Sequence, residues 1–253
     1  MYTQAILKQP SKSLVHGITS ANLGKPDYNL ALKQHDQYRN ALEDCGLSTV
    51  ILPAEEPFPD SVFIEDAAIV TGHMALITRP GAESRRGETR AVNRLLESMY
   101  PAVEHIDSPG MLDGGDVMQC HDRLYVGLSE RTNREGIRQF AAIASRYGYV
   151  TITVPLTDML HLKTGIAYLQ HNNLLVVETL VDRREWDGDN KIVVSNEEAY
   201  AANSLWINGR VLIPAGFPAT RNKLIEAGYD VTEVPVSEFR KLDGGLSCLS
   251  LRI

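Results

Sequence analysis

Short apolar runs recur along this chain in pairs, each pair split by a tight polar turn. The first pair covers residues 65–70 and 74–78 around Thr71-Gly72-His73, and the second covers 116–120 and 123–127 around His121-Asp122. The third covers 164–169 and 174–177 around Gln170-His171-Asn172-Asn173, and the fourth 203–207 and 210–214 around Asn208-Gly209. Runs of this length bounded by turn residues predict β-hairpins. Asn208-Gly209 is the strongest signal, because a type I′ turn needs positive φ at both central residues.

The period changes after three of these hairpins. Residues 88–99, 133–147 and 220–227 carry apolar positions at helical spacing; Ala91, Leu95, Leu96 and Met99 share one face of the first. A further strand follows each helix, at 103–106, 150–154 and 231–234. The third hairpin lacks a helix, and its polar stretch 182–189 is predicted to be an exposed loop. Hairpins begin near residues 65, 116, 164 and 203, and Leu246 opens a fifth unit. A spacing of roughly 40–50 residues falls in the range of radial and solenoid repeats. The fifth unit is completed only by the other chain end: strand Gln4–Lys8, a helix over 29–45, and strand Ser48–Leu52. Pairing of the two ends would seal a ring of five modules and leave no exposed sheet edges. An open mixed α/β sheet fits the same pattern equally well.

Composition narrows the class. With 253 residues, 43% hydrophobic and 23% charged, the chain can bury a sizeable core. A net charge of −7 argues against nucleic acid as a partner and is compatible with a cationic small molecule. No apolar stretch reaches the length of a membrane span, and the N-terminus does not read as a signal peptide. The three cysteines are far apart and form no Cys-x-x-Cys motif, so neither a disulfide framework nor a thiolate zinc cage is expected. Reduced thiols in a cytoplasmic protein are the default expectation.

Candidate chemistry sits where the hairpins open. Cys248 lies in the apolar terminal segment behind Asp243-Gly244-Gly245, an echo of Asp113-Gly114-Gly115. A buried cysteine ordinarily acts as a small hydrophobe. His161, flanked by Leu160 and Leu162, opens the third module and would ordinarily be a satisfied core residue. In a ring, equivalent module entrances converge, and a Cys–His pair then becomes a nucleophile with its acid/base partner. Asp113 or Asp116 would orient the histidine, as third groups do in triads. Asp60, Glu65 and Asp66 form the densest acidic entrance and suit a guanidinium, whose planar fork of donors matches carboxylates. The arginines of 79–86 and Arg131 could clamp a carboxylate. No phosphate-binding glycine loop is present.

These stretches match a known pattern. Asp60-Ser61-Val62-Phe63-Ile64-Glu65-Asp66, Ile77-Thr78-Arg79-Pro80-Gly81-Ala82-Glu83-Ser84-Arg85-Arg86 and Leu112-Asp113-Gly114-Gly115-Asp116-Val117 closely resemble the dimethylarginine dimethylaminohydrolase family. So do Arg131-Thr132-Asn133, Leu160-His161-Leu162-Lys163-Thr164, Tyr200-Ala201-Ala202-Asn203 and Asp243-Gly244-Gly245-Leu246-Ser247-Cys248, in order and over essentially the whole chain. Leu23-Gly24-Lys25-Pro26-Asp27-Tyr28 resembles the bacterial members. The resemblance implies a single-domain α/β fold over 1–253, a pseudo-symmetric five-module α/β propeller (pentein) closed by its terminal strands. It implies hydrolysis of Nω-methylated arginines to citrulline and a methylamine, with no cofactor and no metal, in a homodimer. It assigns Cys248 as nucleophile, His161 as acid/base and Asp113 as its orienting carboxylate, with aspartate where some members carry glutamate. Glu65 and Asp66 would receive the guanidinium, Arg85 and Arg131 the α-carboxylate, and Asp60 the α-amino group. The carbonyls of Ile18 and Leu242 would assist, under a lid formed by residues 16–28. The competing readings are an arginine deiminase acting on unmethylated arginine, an amidinotransferase, and a non-catalytic propeller that binds methylarginine.

Overall fold

The computed structural model describes residues 1–253. Fifteen strands form five sheets of three strands each. The first sheet combines β1 (Gln4–Lys8), β2 (Ser48–Leu52) and the C-terminal β15 (Ser250–Arg252). The others are β3–β5 (Ala68–Val70, Ala75–Ile77, Val103–His105), β6–β8 (Val117–Cys120, Arg123–Leu128, Val150–Pro155), β9–β11 (Ile166–Tyr168, Asn173–Val177, Asn190–Val194) and β12–β14 (Leu205–Ile207, Arg210–Pro214, Asp230–Val234). Every sheet has one plan: the central strand pairs antiparallel on one side and parallel on the other. The chain ends meet in this plan, with Ala5 opposite Arg252 and Leu7 opposite Ser250.

A parallel pair cannot be joined by a tight turn, so each sheet needs a crossover. Helices Tyr28–Asp44, Thr89–Met99, Arg134–Arg146 and Pro218–Glu226 supply four of them. Local chemistry sets their ends. Asp27 accepts a hydrogen bond from the Leu30 amide at 2.9 Å, and Asn133 accepts one from Gly136 at 2.7 Å, each capping free N–H groups of a first turn. Pro218 sits at the start of the last helix, where its missing N–H costs nothing.

The fourth sheet replaces the helix with two short 3₁₀ turns, Glu178–Leu180 and Arg184–Trp186. The stretch 182–189 is exposed at Asp182, Arg184, Asp187 and Gly188, as expected, but Trp186 within it is 1% exposed, donates to the Leu180 carbonyl at 3.0 Å, and meets Tyr125 edge-on. This anchor replaces the packing of the missing helix. The third strand that follows, β11, is not apparent in the sequence pattern.

A correction concerns where the first strands begin. Asp116 and the residues after Leu246 do not open strands; a helical turn precedes the first strand of every module. These turns are Ile64–Ala67, Gly114–Asp116, Leu162–Gly165, Asn196–Ala202 and Ser247–Leu249. Cys248 therefore lies in a 3₁₀ turn rather than in a strand. The residues two places before the five first strands are Asp66, Gly115, Thr164, Asn203 and Cys248. Residues of all five first strands line one cavity of about 410 Å³ that runs from these turns to the hairpin tips at Gly72, His121 and Gln170. No helix is long and apolar enough to cross a membrane.

Candidate active site

The two Asp-Gly-Gly stretches are explained by close approach. A Cβ on Gly115 would lie 2.6 Å from His161 Nδ1, and one on Gly244 would strike the Phe63 ring. A Cβ on Gly114 would run into the Glu65 carbonyl, and one on Gly245 into the Asn203 amide. Small residues let the turns of all five modules pack against one another, and reactive groups are brought together by that packing.

His161 is buried, and its Nε2 lies 3.0 Å from Asp113 Oδ2 and 4.0 Å from Asp66 Oδ1. The other Asp113 oxygen accepts from the Gly81 amide at 2.9 Å, so the carboxylate is held at both ends. The aspartate therefore reaches the histidine without the longer glutamate side chain. Asp116 acts on the backbone instead. It accepts from the Leu162 amide and from the Ser129 and Thr132 hydroxyls, fixing the chain beside His161. Of the two orienting candidates, only Asp113 hydrogen-bonds the imidazole.

Burial opposes a charge on His161, but Asp66, the Asp113 hydrogen bond and Asp116 outweigh it and raise its pKa to about 9. Cys248 moves the other way. Burial, then the carboxylates of Glu65 and Asp66, push its thiol up to about 12. The resting pair is thus an imidazolium beside a neutral thiol. Asp66 stays ionised despite burial, held at about 2 by His161 and Arg85.

Cys248 and His161 both line two small cavities. One, of about 40 Å³, is bounded by Ile18, Asp60, Asp66, Arg85, Arg131 and Leu242. Asp60 accepts from the Ile18 amide at 2.9 Å, tying the 16–28 segment to this wall. Asp243, left-handed at φ +59°, adds a second tie by accepting from the Ser20 amide and hydroxyl at 2.6 and 3.0 Å. The two arginines differ. Arg85 is buried and committed to Asp66, Glu88 and the Asp60 and Phe63 carbonyls. Arg131 makes no ion pair with the protein, so its guanidinium is the one free to meet an incoming anion.

Glu65 departs from its expected role. Its carboxylate is buried and takes Lys163 at 2.6 Å, Arg252 at 2.8 Å and the Ser247 hydroxyl at 2.7 Å. It lines the large cavity of the first strands and not the cavity with Asp60 and Arg131. Asp66 alone of that acidic pair faces the expected site.

The second small cavity, about 30 Å³, lies against Gly115, Thr164, Tyr200, Asn203, Lys163 and Ser247. Lys163, Thr164, Tyr200, Asn203 and Ser247 lie in the stretches that resemble the family, but the resemblance assigns none of them a role. Asn203 accepts from the Ser247 amide at 2.8 Å and donates to the Ser247 hydroxyl and the Lys163 carbonyl, pinning the residue before the thiol. The available signal is positional: Asn203 and Thr164 occupy the same repeat position as Cys248 and Asp66. The ligand atoms of Asp66, Asp113 and His161 lie within 4.8 Å of one another, a spacing a metal ion could use. Those atoms are already engaged with Arg85, Gly115, Gly81 and each other.

Comparison with known proteins decides the family. The sequence profile of the N,N dimethylarginine dimethylhydrolase family (eukaryotic) matches residues 22–249. The N(G),N(G)-dimethylarginine dimethylaminohydrolase of Pseudomonas aeruginosa is 50% identical over 253 residues, covering 100% of both chains. The chain belongs to the dimethylarginine dimethylaminohydrolase family. A member from Streptomyces coelicolor is 37% identical over 99% of this chain and 96% of its own. The crystal structure of the Pseudomonas dimethylarginine dimethylaminohydrolase, a cysteine-to-serine variant complexed with citrulline, superposes with a TM-score of 0.98 at 50% identity and covers 100% of both chains.

Proposed function

We propose that this protein hydrolyses Nω-methylated L-arginines to L-citrulline and a methylamine through a covalent Cys248 intermediate. The observation that carries this reading is the shared placement of Cys248 and His161 on both small cavities, with Asp113 holding the imidazole at 3.0 Å. The citrulline bound to the cysteine variant of the Pseudomonas relative supports it.

The resting protonation states set the order of steps. A thiol at about 12 is no nucleophile at neutral pH, and a guanidinium bound beside it supplies the charge that favours the thiolate, its proton leaving to solvent. Sγ attacks the guanidinium carbon, forming a neutral tetrahedral adduct. His161, already protonated, gives its proton to the methylated nitrogen, the C–N bond breaks, and the amine departs from a cationic thiouronium. Neutral His161 then takes a proton from water as its oxygen bonds to the same carbon. The C–S bond breaks, the hydroxyl proton passes to solvent, and citrulline and the thiolate remain. At the amino-acid end, Asp60 faces the α-amino group, Arg131 the α-carboxylate, and Asp66 the guanidinium, with the Ile18 and Leu242 carbonyls at the rim and Arg85 acting chiefly through Asp66.

We read the five sheets as modules of one closed α/β propeller domain over 1–253. Support comes from the common strand plan, the cavity lined by all five first strands, and the pairing of β1 with β15. Side-by-side kcat/KM for dimethylarginine, monomethylarginine and arginine tests the substrate class. Methylarginines are expected to be preferred at least tenfold; faster turnover of arginine would convert the reading to an arginine deiminase.

A further inference from the structure

The intermediate poses a problem of access. Between the two halves of the reaction an amine must leave and a water must arrive, while the substrate carbon stays bonded to Cys248. On the side of Asp60 and Arg131 the amino-acid portion of the intermediate fills a cavity of only about 40 Å³. The 16–28 segment closes over that side through Ile18–Asp60, Thr19–Lys241 and Ser20–Asp243 hydrogen bonds.

A second chamber also reaches Cys248 and His161. This chamber, of about 30 Å³, has Lys163, Thr164, Tyr200, Asn203 and Ser247 among its lining residues. A water needs roughly 10–15 Å³ and two to four polar partners, so the chamber suits one or two. Lys163 and Ser247 line this chamber and also line the 410 Å³ cavity of the first strands. One layer of side chains therefore separates the two: Lys163, Ser247 and the Glu65 carboxylate that joins them. Lys163 has a single protein partner for its ammonium, Glu65, which leaves donors for water on either side.

Resting on the proposed function, we propose that the hydrolytic water reaches the Cys248 intermediate from the hairpin end of the molecule, through the first-strand cavity and across the Lys163–Glu65–Ser247 layer. The small chamber is its last station before His161. Water crosses such a layer because each group in it can exchange a protein partner for a water without being left unpaired.

Plugging the large cavity far from Cys248 tests this. Ala167→Phe and Ala68→Leu fill it from two different sheets, at residues that line neither of the two small cavities shared by Cys248 and His161. The full-length variants are compared with wild type by quenched-flow measurement of amine and citrulline, and by intact-protein mass spectrometry during turnover. The expected result is a burst of one amine per enzyme at the wild-type rate, a kcat about tenfold lower, and a steady-state covalent adduct. Unaltered kcat without adduct in either folded variant overturns the proposal. So does a burst slowed in parallel with kcat, which would place the defect at the attack of Cys248. Should one plug fail to fold, the other decides. Failure of the proposed function is distinguishable, because wild type would then release no citrulline from any methylarginine.

Discussion

Asp113 Oδ2 and His161 Nε2 sit 3.0 Å apart although 48 positions separate the residues, and the aspartate is fully buried. A buried carboxylate held also by the Gly81 amide orients the imidazole and, with Asp66 and Asp116, favours its charge. Asp113→Asn keeps the shape and removes the charge. Its kcat on dimethylarginine is expected to fall about 10²–10⁴-fold, the scale seen when a triad carboxylate is neutralised, with KM changed much less. Retention of wild-type kcat would remove Asp113 from the orienting role.

Protonation offers a second check. Free enzyme should lose Cys248 to iodoacetamide slowly at pH 7, with a rate that climbs without a plateau up to about pH 11, because the thiol is pushed up to about 12. Saturating citrulline carries no guanidinium charge and is not expected to speed it. A plateau near neutral pH would mean a preformed thiolate.

Stability should follow the same groups. His161 rises from 6.5 to about 9, so its contribution is fully present below pH 6.5 and disappears as pH rises through 9. Chemical denaturation at pH 6 and pH 9.5 is expected to differ by a loss on the order of 3 kcal/mol at the higher pH. His161→Gln should flatten that difference.

The two arginines should fail differently. Arg85→Ala strands Glu88 and Asp66 in the interior and is expected to destabilise by about 3–5 kcal/mol, as loss of one partner of a buried pair does. Arg131→Ala removes no ion pair within the protein, so the midpoint of denaturation should stay within about 0.5 kcal/mol while KM rises at least tenfold. Similar KM and stability effects for both would contradict this division of labour.

Asn203 gives the last test. Asn203→Ala removes three hydrogen bonds to Ser247 and Lys163 around the residue preceding the thiol. A stability loss of about 1–3 kcal/mol is expected, with kcat reduced more than KM is raised. Asn203→Asp keeps the acceptor for the Ser247 amide and should recover part of kcat.

Much of the fold is legible locally. Period-2 runs around Asn208-Gly209 and the other turns, and the helical spacing of 88–99, depend only on side chains near in sequence, so pattern and propensity suffice to find them. The strand pairing of residues 4–8 with the chain end follows from the unfinished fifth unit, and the register Ala5–Arg252 bears out that pairing. The helical turns before each first strand are not visible in the sequence, because Ile64–Ala67 and Ser247–Leu249 carry apolar residues that read as strand until another module packs on them.

The site divides along the same line. The sequence by itself determined which residue types stand at the module entrances, and its likeness to known members named Cys248, His161 and Asp113. Only tertiary structure decided what each carboxylate and cation does. Glu65 and Asp66 are neighbours with the same functional group, yet one is neutralised by Lys163 and Arg252 and the other faces His161 and Arg85. Adjacent residues in a turn point in different directions, and partners such as Lys163, His161 and Arg252 arrive from other modules. Sequence spacing carries no record of those directions; packing does.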